Sequence, residues 1–144
     1  MKIEGHIKIE VEGRTIEQKN MVVNGGLDAI VLALTSNTAV KNKISKIAVG
    51  SSSQAVSANN TALVSQIERL AFDSSNIDTS ISGVRKITFA KQFSTTQAVG
   101  TINELGLFLD DGTSDILFSR AVLSSPIVKG NVTMNVTWDI EFSS

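Results

Sequence analysis

The chain is 144 residues long, with 13 Lys and Arg against 14 Asp and Glu for a formal charge of −1, and is 42% hydrophobic and 19% charged. That is one domain's length, able to bury roughly 68–70% of its unfolded surface, and its 10 Gly, single Pro and moderate hydrophobicity exclude the collagen-like, low-complexity and disordered classes. No excess of Lys or Arg exists to release counterions from phosphates, so nucleic acid is not an expected partner, and the absence of Cys excludes disulfides, thiolate metal sites and thiol nucleophiles.

The opening residues alternate strictly. Ile3, Ile7, Ile9 and Val11 share one parity and Lys2, Glu4, His6, Lys8 and Glu10 the other, which is the pattern of a half-buried strand. Gly5 falls on the apolar parity as a candidate bulge, and Glu12-Gly13 is a turn signal, so residues 1–20 predict a β-hairpin. The opening also lacks the long apolar core of a secretory signal, and the longest apolar run, Ala29 to Leu34, is far short of a membrane span. A chain made in a cytoplasm, with no membrane partner, is the expectation.

Asn24-Gly25-Gly26 precedes an Ala- and Leu-rich run, with Asn24 as a candidate N-cap and Asp28 placed to suit the helix dipole. A helix is predicted over 25–35. Leu27, Ile30, Val31 and Leu34 form one stripe, while Ala29, Leu32 and Ala33 add apolar surface elsewhere, so this helix is expected to be buried on more than one side, inside the domain or at an oligomer contact. Lys46 to Gly50 reads as a short strand, and Ser51 to Asn60, small and polar, as a long loop. Leu63, Ile67 and Leu70 stand at helical spacing and predict a turn or two of helix.

From Val84 onward the pattern is strand. Ile87, Phe89 and Phe93 share a face; Ile102 to Leu109 and Ile116 to Leu123 follow; and Val132, Met134, Val136, Trp138, Ile140 and Phe142 line one side of the last strand. With 44–143 mainly strands, the expected fold is mainly β, an antiparallel β-sandwich with an N-terminal β-hairpin and one buried α-helix, in a single domain over 1–144.

Few residues carry catalytic chemistry. His6, the one His, sits on the polar parity of the first strand without a second His or a carboxylate at ligand spacing, and reads as a solvated residue. No G-x-S-x-G elbow accompanies the many serines. Gly50-Ser51-Ser52-Ser53 follows a strand as phosphate-binding loops do, without the Lys-Ser/Thr that would grip a nucleotide. Asp110-Asp111-Gly112-Thr113-Ser114-Asp115 gathers three carboxylates, yet lacks EF-hand spacing and its closing Glu, and reads as a polar hairpin loop. Matches to N-x-S/T at Asn59, Asn131 and Asn135 reflect composition. No catalytic residue, metal ligand or cofactor site is expected.

Glu104 and Arg120 are more informative, because each is a charge on a largely apolar strand and a lone buried charge is costly. A five-residue loop over Asp110 to Ser114 sets Glu104 directly opposite Arg120 as a structural ion pair. A two-residue turn at Asp111-Gly112 sets it opposite Ser119 instead. Glu104 as a catalytic carboxylate lacks a second acid placed with it.

Three stretches, in order and spacing, resemble a family of small structural proteins of tailed bacteriophages and prophages. Ile47-Ala48-Val49-Gly50, a small-residue loop, then Thr61-Ala62-Leu63 and Arg69 form the first; Thr101 to Phe108, similar to an I-x-E-x-GLF strand, the second. The third runs from Ser119-Arg120-Ala121 through Pro126 to Lys129 and on to Val136 to Phe142. The resemblance covers roughly Asn20 to Phe142, and departs from the family where Gln66 stands for a common Glu ahead of Arg69. It implies a non-enzymatic virion part acting by protein–protein assembly: a tail, baseplate or fibre-attachment component, or alternatively a capsid decoration protein on the phage head. Its partners would be other virion proteins (tail, baseplate or major capsid protein) and further copies in a homo-oligomer, and its location the virion, assembled in the host cytoplasm. A carbohydrate- or receptor-binding module is the second alternative. Leu27, Ile30, Val31 and Leu34, with the exposed parity of the first hairpin, are the expected assembly contacts.

Overall fold

The structure, a computed structural model, describes residues 1–35 and 43–144. β1 (Lys2–Val11) and β2 (Arg14–Val22) form the N-terminal hairpin. Its two-residue turn places Glu12 at φ 50° and Gly13 at φ 72°, the left-handed pair of a type I′ turn, whose twist matches that of the strands it joins. α1 (Asn24–Thr35) follows. Then come β3 (Lys43–Gly50), β4 (Gln66–Ala71), β5 (Ser74–Asp78), β6 (Val84–Phe93), β7 (Gly100–Asp110), β8 (Asp115–Lys129) and β9 (Met134–Ser143).

All nine strands belong to one antiparallel sheet in the order β4-β3-β7-β8-β2-β1-β9-β6-β5, curled into a half-barrel. The curl comes from strands that serve both halves. β2 pairs with β1 as far as Asn20 and with β8 through Met21 and Val22, while β4 runs into β5 through only Phe72 and Asp73. The expected alternation then fills the space between the halves. Ile7, Ile9, Phe89, Phe93, Val136, Trp138 and Ile140 from one half meet Ile47, Val49, Leu105, Leu107, Phe118 and Ile127 from the other in a single core. A second, smaller cluster of Val23, Ala48, Leu63, Phe108 and Leu117 lies on the opposite face of β3, β7 and β8.

Three expectations need correction. α1 is not buried on several sides: Gly26 and Ala29 are covered and Ile30 half-covered, whereas Leu27, Val31, Leu32 and Leu34 are exposed, Leu34 by 82%. The curled sheet supplies most of its core from its own two halves, so the helix, packed on the start of β8, adds only Ala29 and Ile30 to it. Gly26 makes that approach possible, since a Cβ there would lie 2.3 Å from the Phe118 carbonyl oxygen. Nor is there a helix across Leu63, Ile67 and Leu70. Leu63 belongs to the small outer cluster, and residues from Gln66 onward form β4, which satisfies the otherwise open backbone edge of β3.

Gly5 is not at a bulge either. It pairs regularly with Asn20 and Ile140, and is glycine because the Asn20 side chain lies over it, where a Cβ would overlap the Asn20 amide group.

Candidate functional site

Glu104 and Arg120, both fully buried, meet on the outer face of β7 and β8. Arg120 Nε lies 3.0 Å and Nη2 2.9 Å from Glu104 Oε2. Neither weighed register brings them together. The loop between β7 and β8 is four residues, with Asp110 paired to Asp115, and one irregularity at Leu107/Phe108 sets Glu104 opposite Val122 and Arg120 opposite Gly106; a second follows at Ile102/Glu104. The pair is therefore diagonal, which long side chains span readily. The second irregularity explains the parity: Ile102 stays in the main core, while Glu104, two residues on, turns to the outer face.

What the pair does there is hold a strap. Residues 51–65 cross the outer face, and Glu104 accepts hydrogen bonds from the backbone N–H of Val64 (3.1 Å) and Ser65 (2.7 Å). Arg120 Nη1 donates to the Ala55 carbonyl (3.3 Å) and to Asn60 Oδ1 (3.2 Å). Gly50 leaves room for this junction, since a Cβ would sit 2.5 Å from both Glu104 Oε1 and the Ser65 carbonyl. Pinned in this way, the strap lays Leu63 over Phe108 and Leu117. It also meets α1: Asn24 N–H donates to the Ala58 carbonyl and Asn24 Nδ2 to Asn59 Oδ1, so Asn24 ties the helix to the strap instead of capping it.

Around this junction, other polar groups serve packing. Asp115 accepts from Lys46 Nζ (2.8 and 3.0 Å) and from Arg69 Nη1 (3.2 Å), and these hydrogen bonds, Lys46 foremost, hold its carboxyl below the ordinary carboxylate range. Arg69 stacks over Phe108, 3.9 Å from the ring centroid, and donates through Nε and Nη2 to Gln66 Oε1, so the Gln in place of an acid still engages the guanidinium. Lys129, 1% exposed, donates to the Ser94 carbonyl (2.9 Å) and less closely to that of Gly130, and burial lowers its pKa from the usual lysine value. Trp138 is fully buried; the hydrogen-bond network orients Asn20 to accept from Trp138 Nε1 and Ser119 Oγ and to donate to the Gly5 carbonyl (3.2 Å).

Neither Lys129 nor the Asn20–Trp138 link was singled out from the sequence as a buried polar contact. Lys129 follows the apolar parity of Ile127, which is the one signal for it.

The remaining sequence candidates are scattered. His6 stands half-buried on the solvent side of β1, opposite Lys19 and Asp139. In the β7–β8 loop, Asp111 accepts from the backbone N–H of Thr113 and Ser114, which lowers its pKa, and Asp110 accepts from Gly112 N–H; both carboxylates fasten the turn. Among the described residues no cluster of His, Asp and Glu is arranged to hold a metal ion. Ser51 to Ser53 start the strap, where Asn103 Nδ2 donates to the Ser51 carbonyl and Ser52 Oγ accepts from Gln54 N–H. The buried charges thus fix a surface layer in place. Comparison with known proteins finds no match among family models, curated proteins or solved structures.

Proposed function

We propose that this chain is a non-enzymatic structural component of a tailed-phage particle, a tail, baseplate or fibre-attachment part that works by protein–protein assembly. The observation that carries the reading is α1. Its uncovered side presents Leu27, Val31, Leu32 and Leu34, while only Ala29 and Ile30 of its apolar side chains join the main core. An apolar helix face of this kind marks an interaction surface. The first two of the three sequence stretches that resemble the phage family, and the start of the third, lie on the neighbouring strands β4, β3, β7 and β8 and include both members of the buried ion pair, while the third ends on β9 in the other half of the sheet.

The carbohydrate-binding alternative is weakened, because Trp138 is buried in the core and its ring has no face open for a sugar.

Immunogold electron microscopy of phage from the source organism, with antibody raised against the purified chain, tests the reading. Label on the tail or its tip is expected. Label over the heads would replace it with capsid decoration, and absence from both intact and disassembled particles would overturn a virion role.

A further inference from the structure

The strap, residues 51–65, closes on itself. Ser51 N–H donates to the Ser65 carbonyl (2.9 Å), so its two ends meet beside Gly50, and the chain between them joins no strand. Compact surface loops of about 6–16 residues with their ends together are Ω-loops. This one is sparsely packed. Leu63 is its one buried side chain, set against Phe108 and Leu117 and over Gly106, where a Cβ would lie 2.8 Å from Leu63 Cδ2. A segment with so few buried apolar contacts belongs to the low end of local stability.

Most of what fastens it to the sheet is one ion pair. Glu104 takes the N–H groups of Val64 and Ser65 at the end of the strap, and Arg120 Nη1 grips the Ala55 carbonyl and Asn60 Oδ1 in its middle. Asn60 is presented to Arg120 by the turn it closes, accepting from Ser57 N–H (2.9 Å) while its own N–H donates to the Ser57 carbonyl (3.0 Å). The strap is tied in turn to α1. The first N–H groups of a helix have no carbonyl within it, and the acceptor for Asn24 N–H is the Ala58 carbonyl, 2.9 Å away. One residue earlier, Val23 N–H donates to the Phe118 carbonyl of β8 (3.0 Å). Two adjacent amides thus depend on different parts of the molecule, one on the strap and one on the sheet.

We infer that the strap is a latched Ω-loop that opens as one unit while the sheet stays folded, with the Glu104–Arg120 pair as its latch, and that opening releases the start of α1 through Asn24. Opening bares Val23, Phe108 and Leu117, so the loop is a lid over an apolar seat. Coupling of this kind is reciprocal: whatever grips the closed strap also steadies the start of the helix that carries the exposed Leu27, Val31, Leu32 and Leu34. The device does not depend on which particle the chain joins.

Hydrogen exchange of single amides, followed by nuclear magnetic resonance on the full chain at neutral pH, tests it. In the unaltered chain Val64 and Ser65 are expected to share one level of protection, roughly a hundredfold or more below that of Trp138 on β9, which is paired on both sides by β1 and β6. Asn60→Ala, at a half-exposed position, removes one Arg120 contact and the turn that presents it. It is expected to speed exchange at Val64, Ser65 and Asn24 together, by about tenfold or more, and to leave Val23 and Trp138 unchanged. Ser53→Ala, at an exposed position of the same strap, is expected to change none of them. Strap amides as slow as Trp138 in the unaltered chain would show that the loop opens only with the whole fold, and would overturn the proposal without any variant. Val64 and Ser65 speeding up without Asn24 would overturn the tie to α1, and Val23 speeding up equally would place the opening in the sheet and not in the strap.

Discussion

Glu104 illustrates how one carboxylate can matter more for what it leaves behind than for the bond it makes. Its partner Arg120 has no exposed surface, and the backbone N–H groups of Val64 and Ser65 have the same carboxylate as acceptor. Glu104→Ala therefore strands a buried guanidinium and two donors at once, and is expected to cost about 3–5 kcal/mol in a urea melt. Replacing both charges, as Glu104→Leu with Arg120→Met, removes the uncompensated ion and is expected to cost less than Glu104→Ala alone. A double variant as damaged as the single one would place the energy in the strap's hydrogen bonds and not in the buried charge. That the two residues belong together was legible in the sequence, because two opposite charges on neighbouring apolar strands have few other solutions. Their register was not, because it depends on the length of the β7–β8 loop and on an irregularity at Leu107/Phe108 that the alternation of side chains does not announce. Trp138 was legible as a core residue, but its tie to Asn20 was not, since Asn20 reads as polar hairpin surface until β2 is seen to turn toward β8.

Among the elements, α1 separates what is needed for folding from what is available for assembly. Ile30 packs against the main core and Val31 points away from it, 59% exposed. Ile30→Asp buries an unpaired charge and is expected to cost about 2–4 kcal/mol or prevent folding, while Val31→Asp should leave the melt within about 0.5 kcal/mol of the unaltered chain. Equal effects at the two positions would mean that the helix is covered on both sides within one copy. The helix itself could be read from its Ala/Leu run, yet the side it exposes could not, because an apolar stripe looks the same whether its cover is the same chain or another one. At the start of β8, the segment on which α1 packs, Asp115 ties that strand to Lys46 on β3 and Arg69 on β4. Its folded-state pKa is lowered, so the tie stabilises at pH values above the ordinary carboxylate range and is lost as pH falls through the folded value, in the limb below about pH 4. Because Lys46 and Asp115 keep some contact with solvent, the contribution is about 1 kcal/mol. Urea melts between pH 2 and 7 should show Asp115→Asn less stable by that amount at neutral pH and converging on the unaltered chain in acid. A constant gap across the range would assign the loss to packing.

On the scale of the whole molecule, the order of strands in the sheet decides how it unfolds. β9 comes last of the nine strands in the chain and lies between β1 and β6, while β3 pairs with β7 across more than fifty residues of sequence. Neither half of the sheet can thus be completed from a contiguous stretch of chain, and β2 and the β4–β5 corner tie the halves together on both sides. Trp138, the single Trp, sits on β9 with its ring in the core shared by the two halves and its Nε1 hydrogen-bonded to Asn20 beside the β2 crossover. It reports on the meeting of the halves, whereas far-ultraviolet circular dichroism reports on strands throughout. If the curled sheet is one cooperative unit, urea unfolding followed by Trp138 fluorescence and by circular dichroism will share a single midpoint and slope. Fluorescence lost at lower urea, with the dichroism largely retained, would mean that the halves separate before either melts. The crossover strands would then act as a hinge between two sheets.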